Sequence, residues 1–211
     1  MTLSPARQEK YHDPNPVVGW LIRRFFERVG RAVNEAGPAS ILDAGCGEGE
    51  ALRRGVFAPG ARVVSLDLRW ESLALLRTTE ERPRGRRHGR LEACSTAAAP
   101  VCGSVLALPF GDGSFDAALC LEVLEHLDHP EDAVRELARV ARRAVVFSVP
   151  HEPYFRIGNV LRGKHLGAFG NHPEHVQHWN FRTFRRFLTP LVREVELMEA
   201  FPWIVARCCP R

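Results

Sequence analysis

The sequence predicts an α/β protein whose sheet is mostly parallel. Two observations carry that expectation. Short apolar runs at about residues 40–44, 62–66, 116–121 and 144–149 alternate with stretches of helical periodicity, the pattern of strands joined by crossover helices. The first of these runs, Ile41-Leu42-Asp43-Ala44, breaks directly into Gly45, Gly47 and Gly49, as a buried strand does when it ends in a tight turn. Glycine serves there because the backbone must take conformations that a Cβ forbids, or must let a ligand come close. The spacing is G-x-G-x-G. It is neither the dinucleotide fingerprint G-x-G-x-x-G nor a phosphate loop, which needs a Gly-Lys-Ser/Thr ending.

The elements follow in order. Val18, Leu21, Ile22, Phe25, Phe26, Val29 and Val33 recur at helical spacing, so residues 17–35 form one amphipathic helix, closed by Gly37-Pro38. Tyr11 and His12, just upstream, read as its frayed start. Strand 1 at 40–44 leads into a helix at about 49–55, and strand 2 at 62–66 into a helix at about 70–80. Residues 81–98 are a polar, alanine-rich loop; strand 3 is short, about 100–104, and strand 4 is about 116–121. Pro130 suits a first helical turn, and the helix from there to about 142 buries Ala133, Val134, Leu137 and Val140. Strand 5 is 144–149, and a helix at about 181–190 follows. Strands at about 192–199 and 202–209 are separated by so few residues that they must pair as an antiparallel hairpin.

Further motifs sit where an open α/β fold would use them. Asp67 ends the second apolar run about 20 residues past the glycine turn, the distance at which such folds place an acid on a ribose. A carboxylate accepts two hydrogen bonds side by side, which suits a vicinal diol. Next come Leu108-Pro109-Phe110, Gly113-Ser114-Phe115-Asp116, and Glu122-Val123-Leu124-Glu125-His126-Leu127. With these four motifs in this order, the chain resembles the class I S-adenosylmethionine-dependent methyltransferases. It is most similar to their type 11 branch of small-molecule enzymes, closely over residues 38–150 and loosely elsewhere.

The resemblance implies a Rossmann-like, seven-stranded, mostly parallel sheet with an antiparallel last strand and helices on both faces. It implies one domain over 1–211, with the N-terminal helix, 14–36, as a cover and 150–180 as a substrate cap. The implied cofactor is S-adenosylmethionine. Gly45, Cys46 and Gly47 would face its methionine part, with Asp43 steadying the loop or the ammonium. Asp67 would hold the ribose hydroxyls and Leu68 would lie against the adenine. Glu122 would stand next to the methionine moiety. The family usually has an acid five residues before the proline of Leu-Pro-Phe, bonding the adenine amino group. Here Ser104 stands there, beside Val105; a hydroxyl accepts the same bond more weakly, and both residues are counted as cofactor-binding.

Bulk properties exclude some classes. The chain has 211 residues, 45% hydrophobic, enough for one sizeable core and a cap. No stretch reaches the ~18 consecutive apolar residues of a membrane span. The first ten residues are polar and lack a signal-peptide core, so a cytoplasmic protein is expected. The cysteines at 46, 94, 102, 120, 208 and 209 contain no C-x-x-C pair, which removes zinc and redox motifs. Net charge is +4, with 27 arginines against 2 lysines. The dense run Arg82, Arg84, Arg86, Arg87, Arg90 is broken by Pro83, Gly85 and Gly89 and reads as a solvated loop. No aromatic residue lies within 82–100 to stack on bases, so nucleic acid is not the expected partner.

Methyl transfer from a sulfonium needs alignment, exclusion of water and sometimes proton removal, so neither a triad nor a metal is expected. The candidate catalytic residues are histidines. His126 ends the Glu-rich motif and by resemblance faces the substrate side; His151 directly follows strand 5; His178 precedes Trp179 at the end of the histidine-rich cap. The expected function is methylation of a small molecule, at oxygen. Two alternatives stay open. Glu122, Glu125 and His126 with a distant histidine resemble the metal set of RNA 3′-terminal 2′-O-methyltransferases. A non-catalytic S-adenosylmethionine-binding protein would also keep the glycine turn.

Overall fold

The computed structural model describes residues 14–80, 98–152, 154 and 176–211. Tyr11, His12, the Arg82–Arg90 run, Cys94, His172 and His175 lie outside the described residues, as does most of the expected cap. Helix α1 is Pro16–Asn34, opened by Asn15, whose side chain accepts from the Val17 N–H at 2.9 Å. It is followed by β1 (Ser40–Ala44), α2 (Glu50–Arg53), β2 (Arg62–Asp67), α3 (Trp70–Glu80) and β3 (Ala98–Cys102). The second half has β4 (Phe115–Leu121), a 3₁₀ turn η1 (Leu124–His126), α4 (Pro130–Val140) and β5 (Ala141–Pro150). Helix α5 (Phe181–Leu188), β6 (Glu194–Ala200) and β7 (Trp203–Cys209) complete it.

The seven strands form one sheet in the order β3-β2-β1-β4-β5-β7-β6. β7 runs antiparallel to β5 and β6, and the remaining pairs are parallel. Strand parity sorts the core into two layers. Ile41, Val63, Ala117, Leu119, Ala144 and Val146 pack against α1, α2 and Leu76 of α3. Leu42, Leu66, Ala118, Cys120, Val145 and Phe147 pack against α4 and α5. The expected fold is therefore present, hairpin included.

Boundaries moved where local chemistry misled. β3 starts two residues before the expected position and contains Pro100, which an edge strand tolerates because a position on its open side needs no N–H donor for the ladder. β5 starts at Ala141, directly after α4, instead of at 144. The expected helix ran to about 142, whereas it ends at Val140, and Arg142 and Arg143 are exposed strand residues at the amino end. There Arg142 approaches Asp116 at 3.2 Å and Arg143 Nη1 donates to the Ala36 carbonyl at 3.1 Å.

Two polar clamps set the frame. Asp116 Oδ2 accepts from the N–H groups of Ala39 and Ser40, at 2.9 and 3.1 Å, tying β4 to the start of β1. Arg139 donates to the carbonyls of Leu108 and Phe110 and to Glu136, and Glu136 accepts the Leu108 N–H at 2.7 Å. This pair on α4 is what holds the Leu108-Pro109-Phe110 loop. No helix among the described residues is long and apolar enough to cross a membrane.

Candidate active site

β1 ends between β2 on one side and β4 on the other, which is where the strand order reverses direction. Ligands of open α/β sheets bind at that point, outside the carboxyl ends of the strands. The glycine turn occupies it. The N–H groups of Gly45 and Cys46 both donate to the Leu66 carbonyl, at 2.7 and 3.0 Å, folding the turn over the end of β2. Gly47 has φ +55°, and a Cβ there would meet nothing within 4 Å. Its backbone therefore faces open space that a ligand can approach.

Two carboxylates converge under this turn. Asp67 Oδ2 accepts the Gly47 N–H at 2.8 Å and Oδ1 accepts the Arg69 N–H at 2.9 Å. Each oxygen keeps a second lone pair, so the carboxylate shapes the turn and can still accept from a diol. Asp43 is buried, and its Oδ2 has no hydrogen-bond partner among the described residues. Burial, then the nearby Asp67 charge, pushes its carboxyl up to about 7. Burial and the same two acids push the Cys46 thiol up, so this thiol is no nucleophile.

The end of β4 supplies a third acid. Glu122 is buried and holds φ +55°. Its N–H donates to the Ser148 carbonyl and to Ser148 Oγ, both at 3.1 Å. Its carboxylate accepts Ser148 Oγ–H at 3.2 Å and the Trp203 indole N–H at 2.8 Å. Behind it, η1 carries the fully buried Glu125 and half-buried His126, whose Nε2 lies 3.9 Å from Glu125 Oε1. The Glu125 carbonyl accepts from the N–H groups of Val176 and Gln177, at 2.8 and 3.1 Å.

The remaining histidines flank β5. His151 bridges in parallel to Trp179, and Glu152 N–H donates to the Trp179 carbonyl at 2.9 Å. The His151 ring meets Tyr154 and Phe181 edge-on, at 5.0 and 4.9 Å, and its Nδ1 has no hydrogen-bond partner among the described residues. Burial lowers its pKa against a smaller opposing pull from Glu199, so the ring is neutral near pH 7. His178 is exposed, with Nδ1 3.9 Å from Glu152 Oε1. Trp179, its neighbour, is a core residue packed on Phe184 and Phe187.

The profile of the methyltransferase-domain family (Methyltransf_11) matches residues 42–149, just over half of the chain. The chain belongs to this family. Among curated relatives, the methyltransferase domain is 37% identical over 132 residues to the demethylmenaquinone methyltransferase of Thermus thermophilus, covering 61% of the chain and 55% of that enzyme. It is 29% identical over 116 residues to the 24-methylenesterol C-methyltransferase 2 of Oryza sativa, covering 55% of the chain and 30% of that enzyme. The chain thus spans between 30% and 55% of the length of these relatives. Among solved structures, magnesium protoporphyrin IX methyltransferase of Synechocystis with bound S-adenosylhomocysteine superposes with TM-score 0.65 at 16% identity, over 97% of the chain and 92% of that protein. The small RNA methyltransferase HEN1 gives 0.66 at 17% identity, over 88% of the chain and 25% of that protein. These likenesses establish the class I S-adenosylmethionine-dependent methyltransferase fold.

The family's cofactor fits the residues present. S-adenosylmethionine has an ammonium, a diol and a flat base. The methyltransferase turn offers an orphaned buried carboxylate oxygen on Asp43, an acceptor pair on Asp67, and an exposed Leu68. The turn residues and Asp67 come together as expected, with Glu122 at the end of the neighbouring but one strand. Ser104 lies two residues past β3, and its hydroxyl accepts the Leu106 N–H at 3.2 Å. The Val105 side chain is buried in the core and offers no side-chain contact to a ligand. Sequence reasoning missed Ser148 and Trp203, the donors to Glu122. They lie 26 and 81 residues away with no local signal to pair them.

Proposed function

We propose that the chain transfers a methyl group from S-adenosylmethionine to a small-molecule acceptor, at oxygen. The observation that carries the reading is Asp43 Oδ2: a buried carboxylate oxygen without a partner among the described residues, under a glycine turn, asks for a cation. The cofactor supplies an ammonium of that kind and a sulfonium-bound methyl group already activated for displacement. Asp43 holds the ammonium, Asp67 the ribose diol, and Leu68 lies along the base. His151 is neutral near pH 7, and its buried Nδ1 has no hydrogen-bond partner among the described residues, so it is the first candidate to accept the proton that a hydroxyl gives up; His126 and His178 stand as further acceptors. Relatives named for demethylmenaquinone, methylenesterol and ubiquinone-pathway methylation support a small acceptor.

Calorimetry with S-adenosylhomocysteine tests the site. In the free protein Asp43 keeps its proton below about pH 7, and a neighbouring ammonium favours the anion. Binding is therefore expected to release a proton at pH 6–6.5, seen as an enthalpy that depends on the buffer's ionisation heat. The release should fade above pH 8, where Asp43 is already ionised, and vanish in Asp43→Asn. No binding, or a buffer-independent enthalpy at pH 6, removes the assignment. Binding without transfer to any of a panel of phenols, quinols and carboxylates would favour the non-catalytic reading.

The RNA reading is separated by metal. Glu122 directs its two oxygens at Trp203 and Ser148, which supports a role without a metal. Displacement at a sulfonium methyl has no anionic leaving group to neutralise. Chelator-treated protein is expected to keep most of its transfer activity. Methylation of a 3′-terminal RNA hydroxyl that stops with chelator and returns with manganese would put the RNA reading first.

A further inference from the structure

We infer that Trp203 is a positioning residue for the cofactor site, its indole N–H acting through Glu122 to aim the carboxylate that closes the methionine end. The inference rests on the cofactor reading above and on the place of Glu122, directly after β4, where its neighbour Val123 lies against Gly45 of the glycine turn. Among the described residues Glu122 is the one non-glycine with positive φ, a conformation that side chains with a Cβ rarely adopt. Residues held so persist where their surroundings over-determine them, and they cluster at functional sites. Here the surroundings are Ser148 of β5, which bonds both the backbone and the carboxylate of Glu122, and Trp203 of β7.

Topology explains why β7 supplies the donor. β7 runs against β5, with Trp203 opposite Pro150, so its first residue reaches the edge of the sheet where the parallel strands end. A reversed strand thus begins at the active-site rim and presents a large side chain there. Trp203 is itself fixed: it is 4% exposed, and its ring lies 4.7 Å from that of the fully buried Phe25 of α1. The N–H therefore comes from a rigid support at 2.8 Å, a charge-assisted bond to a carboxylate largely removed from water. Such a bond sets the direction of its acceptor, which no packing contact can do.

The test is a cycle of Trp203→Phe, Glu122→Gln and the double variant, with S-adenosylhomocysteine affinity read by calorimetry. Phenylalanine keeps a ring against Phe25 and removes the indole N–H donor. Each single change is expected to weaken binding about tenfold, and the double variant no more than Glu122→Gln alone. Additive losses of about a hundredfold in the double variant would show that Trp203 matters by packing alone, and wild-type affinity in Trp203→Phe would equally overturn the inference. A second readout needs no Trp203 variant to fold. The Trp203 indole N–H resonance, assigned by selective labelling, is expected to move when S-adenosylhomocysteine is added and to move in ligand-free Glu122→Gln. A resonance unmoved in both cases refutes the inference. Failure of the wild-type protein to bind the ligand overturns the cofactor reading and this inference with it, whereas wild-type binding with an indifferent Trp203 overturns this inference alone.

Discussion

Asp67→Ala is expected to weaken S-adenosylhomocysteine binding by roughly 3 kcal/mol, over a hundredfold in dissociation constant. The loss has two sources. The carboxylate gives charge-assisted bonds to the ribose diol, each stronger than a neutral hydrogen bond. It also holds the glycine turn through the Gly47 N–H at 2.8 Å, so its removal loosens the surface that the methionine part lies on. The fold should survive, because Asp67 is the last residue of β2 and, among the described residues, its side chain bonds only backbone N–H groups of the turns. Removing its charge also takes away the second of the two causes that raise Asp43, so proton release on binding should shift to lower pH. Asp67→Asn keeps one carbonyl acceptor and should fall between. Calorimetry showing an unchanged dissociation constant for the alanine variant would dismiss the ribose assignment.

Gly49→Ala is expected to be the most damaging small change to stability. Gly49 opens α2 at φ +77°, and left-handed backbone costs a residue with a Cβ about 1–2 kcal/mol. A Cβ there would also overlap Cδ1 of Leu76, a fully buried side chain of α3 that has little room to move. Overpacking of that kind adds about 1–3 kcal/mol. Thermal denaturation should show a midpoint lowered by roughly 5–15 °C for a chain of this size. Adding Leu76→Ala separates the sources: in that background the steric share disappears, and Gly49→Ala should cost only the backbone share. Equal costs in both backgrounds would place the whole effect in the backbone.

Legibility followed distance along the chain. The central strands could be read because their signals are local: Ile41 to Ala44 run into glycines, and Val63 to Asp67 end on an acid at the spacing that a ribose site needs. The hairpin of β6 and β7 was legible from the shortness of its connection. Errors arose where a residue's type contradicts its place. Ala98 and Ala99, in an alanine-rich stretch, were left to the loop before strand 3, and Arg142, polar and exposed, was counted with the preceding helix although it opens a central strand. Trp179 sits between His178 and Asn180, so its neighbours suggested a polar pocket; the ring instead serves the core against α5. The Glu122 cradle was hidden for a different reason. Its three residues come from β4, β5 and β7, and only the folded sheet makes them neighbours.

The knot of bonds at His151, Glu152 and Trp179 has a wider consequence. The polypeptide leaves the sheet at 152 and rejoins it at 179, and the two points are fastened to each other by a backbone bond of 2.9 Å. The return is secured independently of what lies between: Trp179 is anchored in the interior, and Asn180 and Thr183 start α5 with reciprocal side-chain bonds. Doubling the length of a segment whose ends are so joined adds only about 0.6 kcal/mol of closure entropy. The architecture is therefore modular at this seam. A lineage, or an engineer, can exchange the tract between the fastened ends for one of different length and chemistry while the sheet and its glycine turn stay as they are.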